Sequence, residues 1–408
     1  MTKKQRQSMS ELAKESSLYP QEALMPIKEK NKSLQIGMPK EIAMQEKRLV
    51  LTPEAVGLLT SNGQRVIVES EAGLPSRYTD KDYSEAGAQI CYSPEEALEC
   101  ELVVKVEPPT IEEIDKMKTG ATLISALQMG NQVPEFIKAL NQKKITAIGF
   151  ELLEDKVGGM PVVRAMSEIA GSTVMLIAAE YLSSVNNGNG LILGGITGVV
   201  PTQVVIIGAG TVAEYAARTA LGLGAQIKIF DNHIYKLRRI KHLLGQQVYT
   251  STIDSLTLGE ALKNADVVIG ALRAEKGRSK VVVSEEMVSC MKPGSIVIDV
   301  SIDQGGCVET SELTSHARPI FRKYDVIHYC VPNIPSRVSR TATMALSNIF
   351  TPIILQAADV GGINDMIFTY KWFMNGVYTY KGSLTNANLG RKFNMPHKEL
   401  QLLMAARF

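Results

Sequence analysis

Cysteine is sparse, and what there is forms no pattern. Cys91, Cys100, Cys290, Cys307 and Cys330 are odd in number and scattered, with no C-x-x-C pair among them. A disulfide framework and a cysteine-based zinc site are thereby excluded. Reduced, mostly buried thiols in a cytoplasmic protein are the expectation. The five histidines show no metal-ligand spacing, so no metal is expected either. Charge bias is also missing: Lys plus Arg number 44 against 42 Asp plus Glu, a net +2. That balance excludes the electrostatic footprint of a nucleic-acid or anionic-membrane partner. No uninterrupted apolar run reaches the ~18–20 residues of a membrane span. The basic start, Met1-Thr2-Lys3-Lys4-Gln5-Arg6, has no apolar segment behind it, so a signal peptide is not expected. Internal repeats and low-complexity segments are absent.

What remains is an ordinary globular composition, 45% apolar and 21% charged. At 408 residues the chain is long for one core, so two domains of roughly 150–200 residues are expected. The most informative stretch is Gln203 to Ala213, QVVIIGAGTVA, followed by Asp231. A β-branched apolar run reads as a buried parallel strand that breaks at Gly208. A helix should begin at Thr211 and a second strand should end at Asp231. Gly208 permits a tight turn, Ala209 lies within it, and Gly210 lets the backbone approach a pyrophosphate. Thr211 and Val212 open the helix whose free N–H groups and dipole favour that anion. Ala213 fills the third, helix-packing position. Asp231, about 20 residues on, suits the ribose hydroxyls and repels a 2′-phosphate. The cofactor expected is NAD.

Residues 1–33 form a polar N-terminal extension, with a helix-like piece near Ser10–Ser17. Strands are then expected at Gln35–Gly37, Arg65–Glu69, Leu102–Val106, Ala121–Ser125 and Thr146–Glu151, with helices between them. A connecting helix over Ser167–Ser184 leads into a second alternation of strands and helices from residue 203. From Arg340 a long helix returns towards the first domain, and the tail reads as mainly helical. The fold class is therefore α/β with two domains. A Rossmann-type NAD-binding domain (166–339) is inserted into a second α/β catalytic domain (34–165 and 340–408), and the cleft between them is the default active site.

Several polar residues stand where a structural role is uncomfortable. Arg48 precedes a helix, as a surface ion pair or as an anion ligand. Lys105 interrupts an apolar strand, so it either reaches solvent at an edge or meets an anion or carbonyl oxygen. Asp303, beyond a strand end and before Gly305-Gly306, can act as a general base, whereas Asp299 reads as the structural end of that strand. Asn333 is a turn residue or a carboxamide partner. Ser167 caps its helix or contacts the nicotinamide side of a cofactor.

Together these positions resemble the alanine dehydrogenase and nicotinamide nucleotide transhydrogenase family. The carrying motifs are GMPKE (37–41), EKRLVLTPEAV (46–56), EAGLPSRYTDKDYSEAGA (71–88), LVVKV (102–106), MSEIAG (166–171), VVIIGAGTVAEYAA (204–217), MKPGSIVIDVSIDQGGC (291–307) and CVPNIPS (330–336). The resemblance implies reversible conversion of L-alanine, NAD and water to pyruvate, ammonia and NADH, in a homohexamer. It places the substrate-carboxylate arginine on Arg48, the substrate lysine on Lys105 and the catalytic aspartate on Asp303. The ribose aspartate falls on Asp231, with cofactor contacts at Ser167 and Asn333.

One position departs from the pattern. Where the family has a catalytic histidine, this chain has Gln128, which hydrogen-bonds an oxygen but delivers no proton. Two alternatives therefore stand beside an alanine dehydrogenase: an NAD(H)-binding sensor or assembly protein without catalysis, and a soluble transhydrogenase subunit that meets a membrane partner.

Overall fold

A computed structural model describes residues 32–43, 45–129, 131–155, 157–273 and 278–405. The helix expected near Ser10–Ser17 lies outside the described residues. The chain builds two parallel-dominated sheets. The first takes β1 (Gln35–Met38), β2 (Arg65–Glu69), β3 (Gln89–Cys91), β4 (Leu102–Val104), β5 (Thr122–Ser125) and β6 (Thr146–Gly149). The second takes β7 (Gln203–Ile207), β8 (Gln226–Phe230), β9 (Tyr249–Ser251), β10 (Val267–Gly270), β11 (Ile296–Asp299), β12 (Ile320–Lys323) and β13 (Val326–Tyr329). The chain then returns, and β14 (Val377–Tyr380) and β15 (Ser383–Leu384) extend the first sheet beyond β6.

Both sheets are wound in two directions from their first strand. The orders are β15-β14-β6-β5-β4-β1-β2-β3 and β12-β13-β11-β10-β7-β8-β9. The connections therefore diverge between β1 and β4 in one sheet and between β7 and β10 in the other. Such a reversal leaves a crevice at the carboxyl ends of the strands, and ligands bind there in open α/β sheets. Buried strand residues such as Val204, Ile206, Val267 and Ile296 explain the unbroken apolar runs, since both faces of a parallel sheet are covered.

Three expectations need correcting. The tail carries four short helices among the described residues, as expected, but also an unforeseen strand pair: Val377-Tyr378-Thr379-Tyr380 pairs antiparallel with β6 and turns back at Lys381 and Gly382, with φ of 46° and 84°. Two consecutive positive φ values mark the turn that matches strand twist. Strand β12, likewise not foreseen, joins β13 through Tyr324 and Asp325 at φ 54° and 55°. The connecting helix begins six residues earlier than Ser167, spanning Pro161–Leu182, with Pro161 at its first turn. By length and composition this helix, at mean hydropathy 1.4, is long and apolar enough to cross a membrane. Arg164, Glu168 and Glu180 interrupt its apolar residues, which is why no unbroken run stood out. Its buried face, including Val174, Ile177 and Ala178, packs into the core of the second domain. Gly171 makes that packing close: a Cβ there would lie 2.4 Å from the Val212 carbonyl oxygen.

Candidate active site

The turn after β7 is shaped by backbone. Gly208 has φ +113°, and a Cβ on it would meet the Ala271 carbonyl oxygen at 2.4 Å. That contact places the turn at the reversal between β7 and β10. Around Gly210 a Cβ would meet nothing within 4 Å, so the approach to the helix start is open. Gly210 is also the residue that precedes the helix Thr211–Gly222, and it offers no side-chain cap to the first-turn N–H groups of Thr211 and Val212. An open approach to an uncapped helix start fits an anionic pyrophosphate. Asp231 is 3% exposed. Its Oδ2 accepts from the Ala209 N–H at 2.8 Å, and its Oδ1 from the His233 N–H at 2.8 Å. The fingerprint residues Gly208, Ala209, Gly210, Thr211, Val212 and Asp231 are thus brought together, with Asp231 fixing the turn itself.

Across the molecule, the crevice between β1 and β4 collects charge instead. Arg48 is 8% exposed and gripped by Glu46: Nε donates to Oε1 at 2.8 Å and Nη2 to Oε2 at 2.6 Å. Glu107 Oε1 stands 3.4 Å from the same Nη2. Nη1 meets only the Met166 sulfur, at 3.4 Å, among the described residues. A thioether is a weak acceptor, so Nη1 is the donor most readily given to an incoming carboxylate. Lys105 follows directly on β4 and is 1% exposed. Its Nζ donates to Glu113 Oε1 at 2.6 Å and lies 3.8 Å from Glu41 Oε2. Neither cation is a surface residue. Each is buried and paired, as desolvated charge requires.

The carboxylates of this cluster were not singled out from sequence. Glu41 accepts from the Val106 N–H at 2.6 Å, and burial pushes it up to about 7 against the pull of Lys105. Burial would raise Glu46 as well, but the Arg48 guanidinium overrides it and holds that carboxyl low. Glu107 is driven the other way, upward, by burial and then by the Glu46 charge. Signals existed for some of these: Glu46 lies two residues from Arg48, and Thr110-x-x-Glu113 is a capping box whose glutamate also reaches Lys105.

Gln128 belongs to the same cluster. Its φ is +44°, a left-handed conformation that side chains other than glycine seldom adopt and that gathers at functional sites. The backbone N–H donates to Glu151 Oε1 at 3.0 Å, and Nε2 donates to Glu107 Oε2 at 3.1 Å. Ser167 lies on the helix Pro161–Leu182, well inside its N-terminus, so the capping role is corrected. It follows Met166, whose sulfur touches Arg48.

The second domain contributes two further positions. Asp303 sits on the short turn Val300–Gln304, closed by Gly305 at φ +96°. Its side chain reaches solvent, yet burial by the crowded turn pushes the carboxyl up to about 6. Asp299, fully buried, accepts from Ser301, Cys307, Val308 and Ser311, which is the structural role expected of it. Asn333, 8% exposed, precedes the turn Ile334–Val338. His316 places Nε2 3.2 Å from the Asn333 carbonyl oxygen, and burial lowers its imidazole below the usual range. The Arg48 loop is tied to this region directly. Ser336 Oγ accepts from the Lys47 N–H at 2.9 Å, and Gln45 Oε1 from the Ala317 N–H at 3.1 Å. No hydrogen bond or ion pair among the described residues joins Asp303 to Arg48, Lys105 or Gln128.

Two family models match in tandem: the alanine dehydrogenase/PNT N-terminal domain over residues 37–170 and its C-terminal domain over residues 174–387. The chain belongs to the alanine dehydrogenase/PNT family. Among its relatives, the alanine dehydrogenase of Methanococcus maripaludis is 37% identical over 89% of this chain and 97% of its own. That of Bacillus subtilis is 40% identical over 80% of this chain and 86% of its own. A solved L-alanine dehydrogenase superposes with a TM-score of 0.83 at 36% identity, covering 88% of this chain and 99% of that one. These matches agree with the α/β two-domain reading and with the resemblance carried by the motifs.

Proposed function

We propose that this protein is an NAD-dependent alanine dehydrogenase that interconverts L-alanine and water with pyruvate and ammonia. The observation that carries this reading is the pair of buried cations, Arg48 and Lys105, at the reversal of one sheet, tied through Lys47 and Ser336 to the domain with the dinucleotide turn. Arg48 Nη1 takes the substrate carboxylate, and Lys105 Nζ binds the carbonyl oxygen or amine. Gly208, Ala209, Gly210, Thr211 and Val212 hold the pyrophosphate, Asp231 the ribose, and Ser167 and Asn333 the nicotinamide side. NAD bound there would supply the acceptor for the hydride that leaves C2 of the substrate. Asp303 takes a proton from the water that adds to the imino acid. Holding the substrate carboxylate and carbonyl at two fixed points supplies orientation, the largest entropic part of the rate. Steady-state NADH oxidation with pyruvate and ammonium, extended to other 2-oxo acids, tests the reading. Absence of turnover with every one of them overturns it.

Gln128 favours one second reading, an NAD(H)-binding protein without dehydrogenase activity. Tight NADH binding by calorimetry with no turnover supports that reading, and robust turnover dismisses it. A homohexamer is the assembly proposed. Support comes from the resemblance and from exposed apolar residues in one segment, Val185, Ile192, Ile196, Val199 and Val200. Light scattering in solution gives the mass directly. Cytoplasmic residence fits the five cysteines, all free, of which only Cys290 is exposed.

A further inference from the structure

We infer that Glu107 supplies the proton to the substrate carbonyl oxygen that Gln128 cannot supply, and that Gln128 positions Glu107 for it. This inference rests on the alanine dehydrogenase reading of the same site.

Positive charge is short in this cluster. Four carboxyl groups, Glu41, Glu46, Glu107 and Glu113, surround two cations, Arg48 and Lys105. Glu46 takes Arg48 through two short bonds, and Glu113 takes Lys105 at 2.6 Å. Glu41 and Glu107 are left without a full ion pair. Glu41 has two backbone N–H groups to steady its charge, from Val106 at 2.6 Å and Glu107 at 3.4 Å. Glu107 has a neutral amide at 3.1 Å and a guanidinium at 3.4 Å, the weakest set of donors in the cluster. Its side chain is 3% exposed. When like charges crowd an enclosed site, the worst-solvated group takes the proton. That group is Glu107, and the upward push from burial and from Glu46 agrees.

Gln128 then decides where the proton sits. Its Nε2 donates to Glu107 Oε2 at 3.1 Å, a closer donor than the Arg48 Nη2 that reaches Oε1 at 3.4 Å, so Oε2 is the firmer acceptor and the hydroxyl belongs on Oε1. Oε1 is the oxygen beside Arg48 Nη2, next to the place assigned to the substrate carboxylate. The amide keeps its aim because the backbone beneath it is pinned by Glu151 in a left-handed conformation.

In the aminating direction the ammonia lone pair forms the C2–N bond, and the carbonyl π pair moves onto oxygen. The Glu107 proton joins that oxygen and leaves a carboxylate facing Arg48. The new nitrogen carries one proton more than the carbinolamine needs, and that proton restores Glu107. Asp303 remains the group for the water that leaves or enters.

The experiment compares wild type, Glu107→Gln, Gln128→His and the double variant, each with kcat for pyruvate amination across pH and with NADH affinity. Glu107→Gln is expected to lower kcat about 10²–10⁴-fold and to remove the alkaline limb of the wild-type profile. Its NADH affinity should stay within about twofold, because the dinucleotide turn is built elsewhere. Adding Gln128→His to Glu107→Gln should recover at least about tenfold, since histidine restores an acid at the neighbouring position. A Glu107→Gln enzyme within about threefold of wild type, or with the alkaline limb intact, overturns the proposal. If Glu107→Gln does not fold, Gln128→Leu decides. Loss of the N–H that steadies the carboxylate must move the alkaline limb to higher pH, and an unmoved limb overturns the proposal. Wild type without turnover on any 2-oxo acid fails the underlying reading instead, a different outcome from an active wild type that tolerates Glu107→Gln.

Discussion

The two crevices are built from different materials. At β7 and β10 the site is backbone: a glycine turn, an uncapped helix start and one carboxylate that braces the turn. At β1 and β4 it is side-chain charge, with Arg48, Lys105 and four carboxyl groups from two loops and a capping helix. Backbone sites are governed by sterics and are sensitive to a single added atom. Charge sites are governed by neutralisation, and removal of one member leaves its partner buried and uncompensated. The same kind of sheet reversal thus frames an open backbone niche in one sheet and a buried cluster of charge in the other.

That contrast is sharpest in what each residue should cost. Asp303→Asn is expected to lower kcat for deamination by about 10²–10⁴-fold. It should also abolish an acid limb: the carboxyl is pushed up to about 6, so wild-type activity falls as pH drops through that value and the base is protonated. A pH–rate profile of both proteins checks this. Arg48→Met leaves Glu46 and Glu107 buried without their guanidinium, at an expected cost of about 3–5 kcal/mol in stability, read by denaturant unfolding. A loss under about 1 kcal/mol would show that the carboxyls reach water, and the charge-site description would fail. Gly208→Ala brings a Cβ to 2.4 Å from Ala271 O and should weaken NADH at least about tenfold, or 1.4 kcal/mol. Titration by NADH fluorescence measures it, and unchanged affinity would show the turn to be deformable. Gln45→Ala removes one acceptor between the domains and should cost about 0.5–1.5 kcal/mol, visible as a small shift in the unfolding midpoint.

The contrast also explains what could be read in the sequence. The nucleotide turn was legible because its requirements are local: Gly208, Gly210 and Asp231 sit at fixed offsets from a strand and a helix. Most strands were legible because parallel burial leaves long apolar runs. The two hairpins were not, since Tyr324-Asp325 and Lys381-Gly382 adopt paired positive φ values without the Asn-Gly that usually announces such turns. On the substrate side Arg48 and Lys105 stood out as charges in apolar surroundings. Glu41 and Glu107 did not, because they reach Lys105 and Arg48 through sheet topology, whereas Glu46 and Glu113 lie close to their cations in sequence. Gln128 was visible as a departure, but its bond to Glu107 was not, because 21 residues separate the two.

The hydrogen bonds from Lys47 to Ser336 and from Ala317 to Gln45 carry a thermodynamic consequence. They join the loop that presents Arg48 to the segment that presents Asn333. A ligand that favours one arrangement of this junction, on either side, changes the affinity of the other side by the same factor. Product left in the substrate crevice would then change how tightly the dinucleotide is held, through two bonds that touch neither ligand.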